Sequence, residues 1–143
     1  MIFSKGVALQ TLTSGAASLE IIGAAQVRAH LLSLEFILEA APGGTVTMGL
    51  GQPAAPGQGP TLLTSTNEDG GALADLFPLL ATAWVTAPTL PTNFLRRYSL
   101  DNVQGQGFIW QFPRGLVTPQ ASSWVLWNLT ALGNASVYLT WDA

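Results

Sequence analysis

Three segments of the last third decide the fold class: FIWQF at residues 108–112, SWVLWNL at residues 123–129 and ASVYLTW at residues 135–141. Every second residue of the first segment is aromatic, and apolar and polar residues alternate in the third. A period of two is typical of β-strands, whose successive side chains point to opposite faces. We predict three strands here, the last two joined as a hairpin by the Leu-Gly-Asn turn at residues 132–134. The polar face of the last strand would hold Ser136, Tyr138, Thr140 and Asp142.

The pattern continues towards the N-terminus with weaker signals. Residues 94–100 are a strand candidate, and the Pro-Arg-Gly at residues 113–115 is expected to end the strand that precedes it. Residues 27–38 alternate, but the faces are mixed at both ends, and Leu, Glu and Ala also favour a helix. We prefer a strand, because a Pro-Gly-Gly turn at residues 42–44 and a β-rich segment at residues 45–48 complete a hairpin-like unit.

The middle of the chain is rich in proline and glycine. From the N-terminal side, the predicted elements are a long loop (52–60), a short strand (61–66), an acidic turn (67–71), the start of a short helix limited by Pro78 (72–80) and a strand (82–86). About eight short strands spaced by turn signals predict an all-β, single-domain antiparallel β-sandwich that is jelly-roll-like. Residues 1–26 would be an N-terminal strand or arm, and residues 27–143 the β-sandwich domain.

Charge is scarce in this sequence. Charged residues make up 9% of the 143 positions, against roughly 25% in a typical soluble chain. An apolar share of 48% argues against disorder. The apolar runs are too short for a transmembrane helix, and five cations are too few for a phosphate-driven nucleic-acid interface. The predicted partners therefore include no membrane and no nucleic acid.

The missing charge is unevenly spread. Residues 40–67, 76–95 and 115–141 hold no charged side chain. Neutral surface is suited to long-lived protein contacts, since few ions must be desolvated. We therefore predict a homo-oligomer and take these stretches as candidate subunit contacts. The start of the sequence lacks the basic and long apolar regions of a signal peptide, so conventional secretion is not expected.

Catalytic and metal motifs are weak. His30 is the single histidine and lacks an orienting partner in sequence. Glu35 and Glu39 lie four apart but need not meet on a strand, and zero cysteines exclude thiolate chemistry. The acidic turn after residue 66, with Asp75, offers oxygen ligands for Ca²⁺ without EF-hand spacing, so an exposed turn is the preferred interpretation. We predict no enzyme, no cofactor and no metal.

Candidate interface residues are tryptophans and arginines. Trp124 and Trp127 lie three apart and should face opposite sides of their strand, so at least one lies outside a sandwich core. Arg96 and Arg97 are neighbours on a strand and cannot both enter one core. The candidate interface set is Trp124, Trp127, Trp141, Arg96, Arg97 and Arg114.

From about Arg28 to the C-terminus, the sequence resembles small all-β head decoration or cement proteins of tailed bacteriophages. The resemblance is carried by GLGQP (49–53), Trp84 with Pro88 and Pro91, FLRR (94–97), IWQFPRGL (109–116) and LWNL (126–129). It implies a jelly-roll-like structural protein on the outer capsid surface of a virion, made in the host cytoplasm, whose partner is the major capsid protein. It also implies a homo-oligomer, with a trimer favoured over a dimer.

The leading hypothesis is therefore a structural virion protein that decorates or cements a phage capsid by bridging capsid subunits as a homo-oligomer. The alternative is a carbohydrate- or host-receptor-binding β-sandwich module of a phage fibre or spike, which would need exposed aromatic side chains. An enzyme is the third hypothesis and has the least support from the residues.

Overall fold

The computed structural model describes residues 2–9, 15–23, 28–63, 66–67, 79–119, 122–130 and 133–142. All regular structure in these ranges is β-strand, which confirms the all-β prediction. The strands are β1 (Ile2–Leu9), β2 (Ala16–Ile22), β3 (His30–Leu38), β4 (Val46–Gly51), β5 (Thr61–Leu63), β6 (Thr66–Asn67), β7 (Leu79–Ala83), β8 (Arg96–Leu100), β9 (Gly107–Val117), β10 (Ser123–Asn128) and β11 (Ala135–Asp142).

The strands form two antiparallel sheets. The first sheet has the order β6-β1-β11-β3-β9, and the second has the order β5-β7-β2-β10-β4-β8. Without β5, β6 and β7, eight strands remain, as β1-β11-β3-β9 and β2-β10-β4-β8. The chain changes sheet at every step among these eight except from β4 to β8, which is the connectivity of a jelly roll. The prediction of a jelly-roll-like sandwich with about eight strands is confirmed, and β5–β7 are additions to it.

Two predicted hairpins are wrong for the same reason. Strands β10 and β11 follow each other in sequence but lie in different sheets, and so do β3 and β4. Strand β10 pairs with β2 and β4, whereas β11 pairs with β1 and β3. In a jelly roll the partner of a strand is distant in sequence, and a local turn signal does not reveal it.

The predicted strand at residues 27–38 is present as β3, and every second side chain from Leu34 to Leu38 points into the core. Leu34, Phe36 and Leu38 are completely buried and belong to the same core cluster as side chains of β9 and β11. The core continues across β11 and β1, where Phe3 stacks on Trp141 with ring centroids 6.1 Å apart. Side chains from both sheets fill the space between them.

The Pro-Arg-Gly at residues 113–115 does not end its strand, contrary to prediction. Strand β9 continues to Val117, and residues 112–115 bulge opposite Leu32 alone, because Leu31 pairs with Leu116 and Ser33 with Gln111. Gly115 has a φ of 72°. A β-carbon there would lie 2.6 Å from Cβ of His30. Only glycine combines this backbone conformation with so close an approach.

Replacing Gly115 by alanine is expected to lower the free energy of unfolding by about 2–4 kcal/mol, from left-handed backbone strain plus the clash with His30. Gly105→Ala is the matched control: φ is 86°, but nothing lies within 4 Å of the added carbon, so about 1 kcal/mol is expected. Urea denaturation of both variants measures the difference. Equal losses at the two positions would show that His30 yields freely and that the bulge is not tightly packed.

The segment between β4 and β8, residues 52–95, is here called the insertion. Its described parts at residues 52–60 and 84–95 run beside each other through isolated bridges between Ala55 and Thr89 and between Gln58 and Thr86. The strand predicted at 82–86 ends at Ala83 as β7. Of the helix proposed at 72–80, residues 72–78 lie outside the described residues, and the remainder belongs to β7.

The N-terminal residues contribute a strand to each sheet. Strand β1 pairs with β11 from Ile2 to Leu9 and also contacts β6. Strand β2 lies between β7 and β10. The sequence-based boundary at residue 26 falls in the range 24–27, outside the described residues.

Candidate interaction surface

The outer face of the first sheet is a regular array of side-chain positions. Residues paired across β1, β11, β3 and β9 form four outward rows of four on it. Three contiguous rows are Gly6–Tyr138–Glu35–Ile109, Ala8–Ser136–Ile37–Gly107 and Ser4–Thr140–Ser33–Gln111. The fourth row, Ile2–Asp142–His30–Val117, lies beyond the β9 bulge and carries the charge of Asp142. The alternate row Val7–Val137–Phe36–Phe108 is buried in the core. We call the three contiguous outward rows the open face.

The open face holds little charge. Glu35 is the one charged residue in its three rows. Ile109 and Tyr138 are 57% and 45% exposed, respectively, and are its most exposed large side chains. A β-carbon on Gly6 would lie 3.2 Å from the Tyr138 ring, so this ring leans over Gly6 towards β1. The solvent face of an antiparallel sheet is normally polar, and this departure from that pattern favours a protein contact.

The outer face of the second sheet, by contrast, is covered by the insertion. Val125 and Trp127 alternate with the core residue Leu126 and therefore point away from the first sheet, yet both are buried. Their neighbours on β4 are Gly51 and Gly49, respectively. An added β-carbon on Gly49 would lie 2.8 Å from the Phe94 ring, because the insertion packs directly on this strand.

Glu20 fastens the insertion to the second sheet. Its carboxylate is buried and accepts three hydrogen bonds: from Trp84 Nε1 at 2.6 Å, from the Gly57 backbone N–H at 3.1 Å and from Ser123 Oγ at 2.6 Å. Two of these donors belong to the insertion and one to β10. Hydrogen bonds to an ionised acceptor are about twice as strong as neutral ones, so a few contacts are enough to hold the two layers together.

A shallow pocket of about 210 Å³ opens beside this carboxylate. It is lined by Glu20, Ile22, Gly23, Pro56, Gly57, Pro60 and Ser122. The carboxylate is engaged by neutral donors, and no histidine or second carboxylate is among the lining residues. The three hydrogen bonds make Glu20 a structural anchor between the insertion and the second sheet.

Aromatic rings and arginines cover the side of the sandwich where β8 and β9 lie. Arg96 lies over Phe112, with its guanidinium carbon 5.7 Å from the ring centre, and Arg97 lies over Phe94 at 5.5 Å. Between the sheets, Tyr98 packs on Phe108 at a centroid distance of 5.1 Å. Each cation–π contact contributes roughly 0.5–1 kcal/mol at an exposed site. Both arginine side chains are exposed, as the sequence required of at least one of them.

The candidate interface residues fall into two groups. Trp127 and Trp141 are enclosed by this chain, with 1% and 0% exposure, and their Nε1 atoms find no hydrogen-bond partner among the described residues. Trp124 is half-buried against the core and donates from Nε1 to the Val117 carbonyl at 2.9 Å. Arg114 is exposed in the β9 bulge, and Arg96 and Arg97 are exposed on β8.

Neither the open face nor the Glu20 hydrogen bonds that hold the insertion were predicted from the sequence. The polar face assigned to the last strand did contain Tyr138, Ser136 and Thr140, all of which lie on the open face. Its partner rows on β1, β3 and β9 were not predictable, because the strand order was unknown. No sequence signal links Glu20 to Trp84, which lies 64 residues away.

No protein-family model, curated protein or solved structure matches the chain. Within the described ranges, no group of three or more histidine, cysteine, aspartate or glutamate side chains is placed to hold a metal ion. Of the acidic cluster considered for Ca²⁺, Glu68, Asp69 and Asp75 lie outside the described residues. The described part of the chain also contains no helix with the length and apolarity needed to cross a bilayer.

Proposed function

We propose that this chain is a structural virion protein that decorates or cements a bacteriophage capsid, bridging capsid subunits as a homo-oligomer. The observation that carries the proposal is the open face, where three rows of four residues present a single charge. A protein whose work is permanent contact with other subunits gains from such a face, because little charge must be desolvated when the contact forms.

The contrast between the two sheets supports this proposal. The described parts of the insertion, residues 52–60 and 84–95, cover the outer face of the second sheet, whereas Ile109 and Tyr138 on the outer face of the first sheet are exposed. An uncovered neutral sheet face is a site of association in a soluble protein. The jelly-roll connectivity is compatible with the proposal, as viral capsid domains use it, although lectins and cupins do so too.

The alternative of a carbohydrate- or receptor-binding module has less support from the tryptophans. It requires aromatic platforms accessible to a sugar ring. Trp110, Trp127 and Trp141 are buried. Trp84 and Trp124 are half-buried, and both use Nε1 within the chain, towards Glu20 and Val117. We therefore favour the structural function.

The experiment mixes the purified chain with capsids assembled from the major capsid protein encoded in the same genome. We expect saturable co-sedimentation and an increased temperature of capsid disassembly, since a ligand at 100 times its Kd stabilises each site by about 2.7 kcal/mol. Capsids of an unrelated phage are the control and should bind nothing. Absence of co-sedimentation at saturating concentration, or immunogold labelling of tails rather than heads, would exclude this function.

A further inference from the structure

The edges of both sheets are protected against the addition of another strand. At one side of the sandwich the edge strands β5 and β6 have only three and two residues. At the other side, β8 carries Arg96 and Arg97, and β9 carries Pro113, Arg114 and the bulge at Gly115. Short strands, charged side chains, proline and bulges are the features that discourage edge-to-edge pairing. A partner is therefore expected to contact a face, and the open face is the uncovered one.

The middle row of the open face is self-complementary about a two-fold axis that runs parallel to the strands between β11 and β3. Such an axis places β1 opposite β9 of a second copy, and β11 opposite β3. The Tyr138 ring, which leans over Gly6, then meets Ile109 of the second copy, and the reverse contact forms at the same time. The two most exposed apolar side chains of the face thus cover each other.

The same two-fold axis also sets the residues of the other two rows opposite each other. Ser4 and Thr140 come to lie opposite Gln111 and Ser33 of the second copy, respectively, so that polar groups meet polar groups. In the third row, the small residues Ala8 and Gly107 face each other, and Ser136 faces Ile37. Apart from the Ser136–Ile37 pair, the opposed residues of these two rows match in size or polarity, as an isologous contact requires.

Glu35 selects this axis over the other in-plane one. An axis perpendicular to the strands would set Glu35 directly against Glu35 of the second copy, and directly opposed like charges are destabilising. The axis parallel to the strands sets it opposite Tyr138 instead. The two Glu35 residues are then offset across the axis by one strand spacing, about 4.8 Å, and are not directly opposed.

The area is sufficient for a weak specific contact. With the fourth row included, the paired outward residues run from Ile2 to Ala8 on β1 and from Ser136 to Asp142 on β11. Four strands of this length span roughly 460 Å² of plan area per copy at a spacing of about 4.8 Å. Two copies bury roughly 900 Å², close to the lower limit of about 1,000 Å² for a specific interface. Aligned packing of two sheets face to face is a common arrangement of β-sheets.

We propose that the open face binds a second copy of this chain about a two-fold axis, with Tyr138 of each copy packed on Ile109 of the other. This inference names the self-contact of the homo-oligomer and rests on that part of the proposed function. The unit it generates is a dimer, in place of the trimer favoured from the sequence.

Sedimentation equilibrium of the wild-type chain tests the contact. We expect a monomer–dimer equilibrium with a Kd in the micromolar range, and a Kd at least tenfold higher for Ile109→Asp, which buries a charge at the interface. Val103→Asp is the matched control: Val103 is 51% exposed but lies outside the open face, and its Kd should equal that of the wild type. A monomeric wild-type chain, or equal effects of the two variants, would overturn the inference.

A charge exchange at Glu35 tests whether this residue lies near the two-fold axis. In an equimolar mixture of wild-type chain and Glu35→Lys variant, each heterodimer has opposite charges near the axis, so we expect it to be roughly fivefold tighter than either homodimer. No preference for the mixed dimer would overturn the proposed geometry. Capsid binding separates the two proposals: capsid binding by a monomeric chain would refute the self-contact alone, whereas a dimer that binds no capsid would refute the capsid function alone.

Discussion

Replacement of Trp141 by alanine is expected to lower the free energy of unfolding by about 3–5 kcal/mol, the loss typical of a tryptophan removed from a protein core. The side chain is completely buried in the first sheet and stacks on Phe3. Because small domains are stable by only about 5–15 kcal/mol, this single change threatens the native state. Chemical denaturation followed by circular dichroism measures the loss.

Two further variants show which property of the Trp141 side chain accounts for the lost stability. Trp141→Phe keeps the stacking on Phe3 and removes the Nε1–H that has no partner among the described residues, so we expect a loss of only about 1–2 kcal/mol. Trp124→Ala acts at a half-buried position and should cost less than Trp141→Ala. If Trp141→Ala were as stable as the wild type but failed to self-associate, its side chain would belong to an interface and the described packing would be wrong.

The second large effect is expected at Glu20. Glu20→Ala removes the acceptor for three hydrogen bonds and leaves the donors of Trp84, Gly57 and Ser123 without it. Each buried donor without a partner costs about 1–3 kcal/mol, partly relieved where water enters from the adjacent pocket, so we expect a total loss of about 3 kcal/mol. The loss should be local, since the insertion detaches from the second sheet while the sandwich remains.

Hydrogen exchange separates local from global loss. The Gly57 amide should lose its protection in Glu20→Ala, whereas amides in the β1–β11 ladder should keep theirs. Glu39→Ala is the matched control, because it removes an exposed carboxylate and should change stability by less than about 0.5 kcal/mol. Uniform loss of protection across both sheets would contradict a local role for Glu20.

The alternation of side chains predicted the strands well, but not their partners. FIWQF and ASVYLTW form strands as expected, because burial on one face leaves a period of two in the sequence. The alternation does not show which strands pair. The sequence of β10 and β11 is typical of a hairpin, yet each strand pairs with strands that are distant in the chain. The Pro-Arg-Gly of β9 forms a bulge. Proline and glycine are typical of strand ends as well as of bulges, so the composition alone does not distinguish the two.

Which residues are exposed was harder to predict, because the insertion buries one face of the second sheet. The spacing of Trp124 and Trp127 correctly places them on opposite faces of β10, but it does not show that the insertion buries Trp127. Part of the uncharged sequence is explained in this way, since the segments at residues 52–60 and 84–95 pack on the chain's own second sheet. The open face emerges only from the register of four strands, two of which come from the end and the beginning of the chain.

The central position of β11 has a consequence for biosynthesis. This strand lies between β1 and β3 and joins them into one sheet, but a ribosome makes it more than 90 residues after the end of β3. Until β11 has been synthesised, β1 and β3 cannot pair with it. Their apolar side chains, such as Val7 and Phe36, therefore stay exposed during translation and can cause aggregation. Contacts so distant in sequence form slowly. Synthesis of residues 135–142 is thus the event that permits the native fold, and a nascent chain stalled before them lacks the sheet that bears the open face.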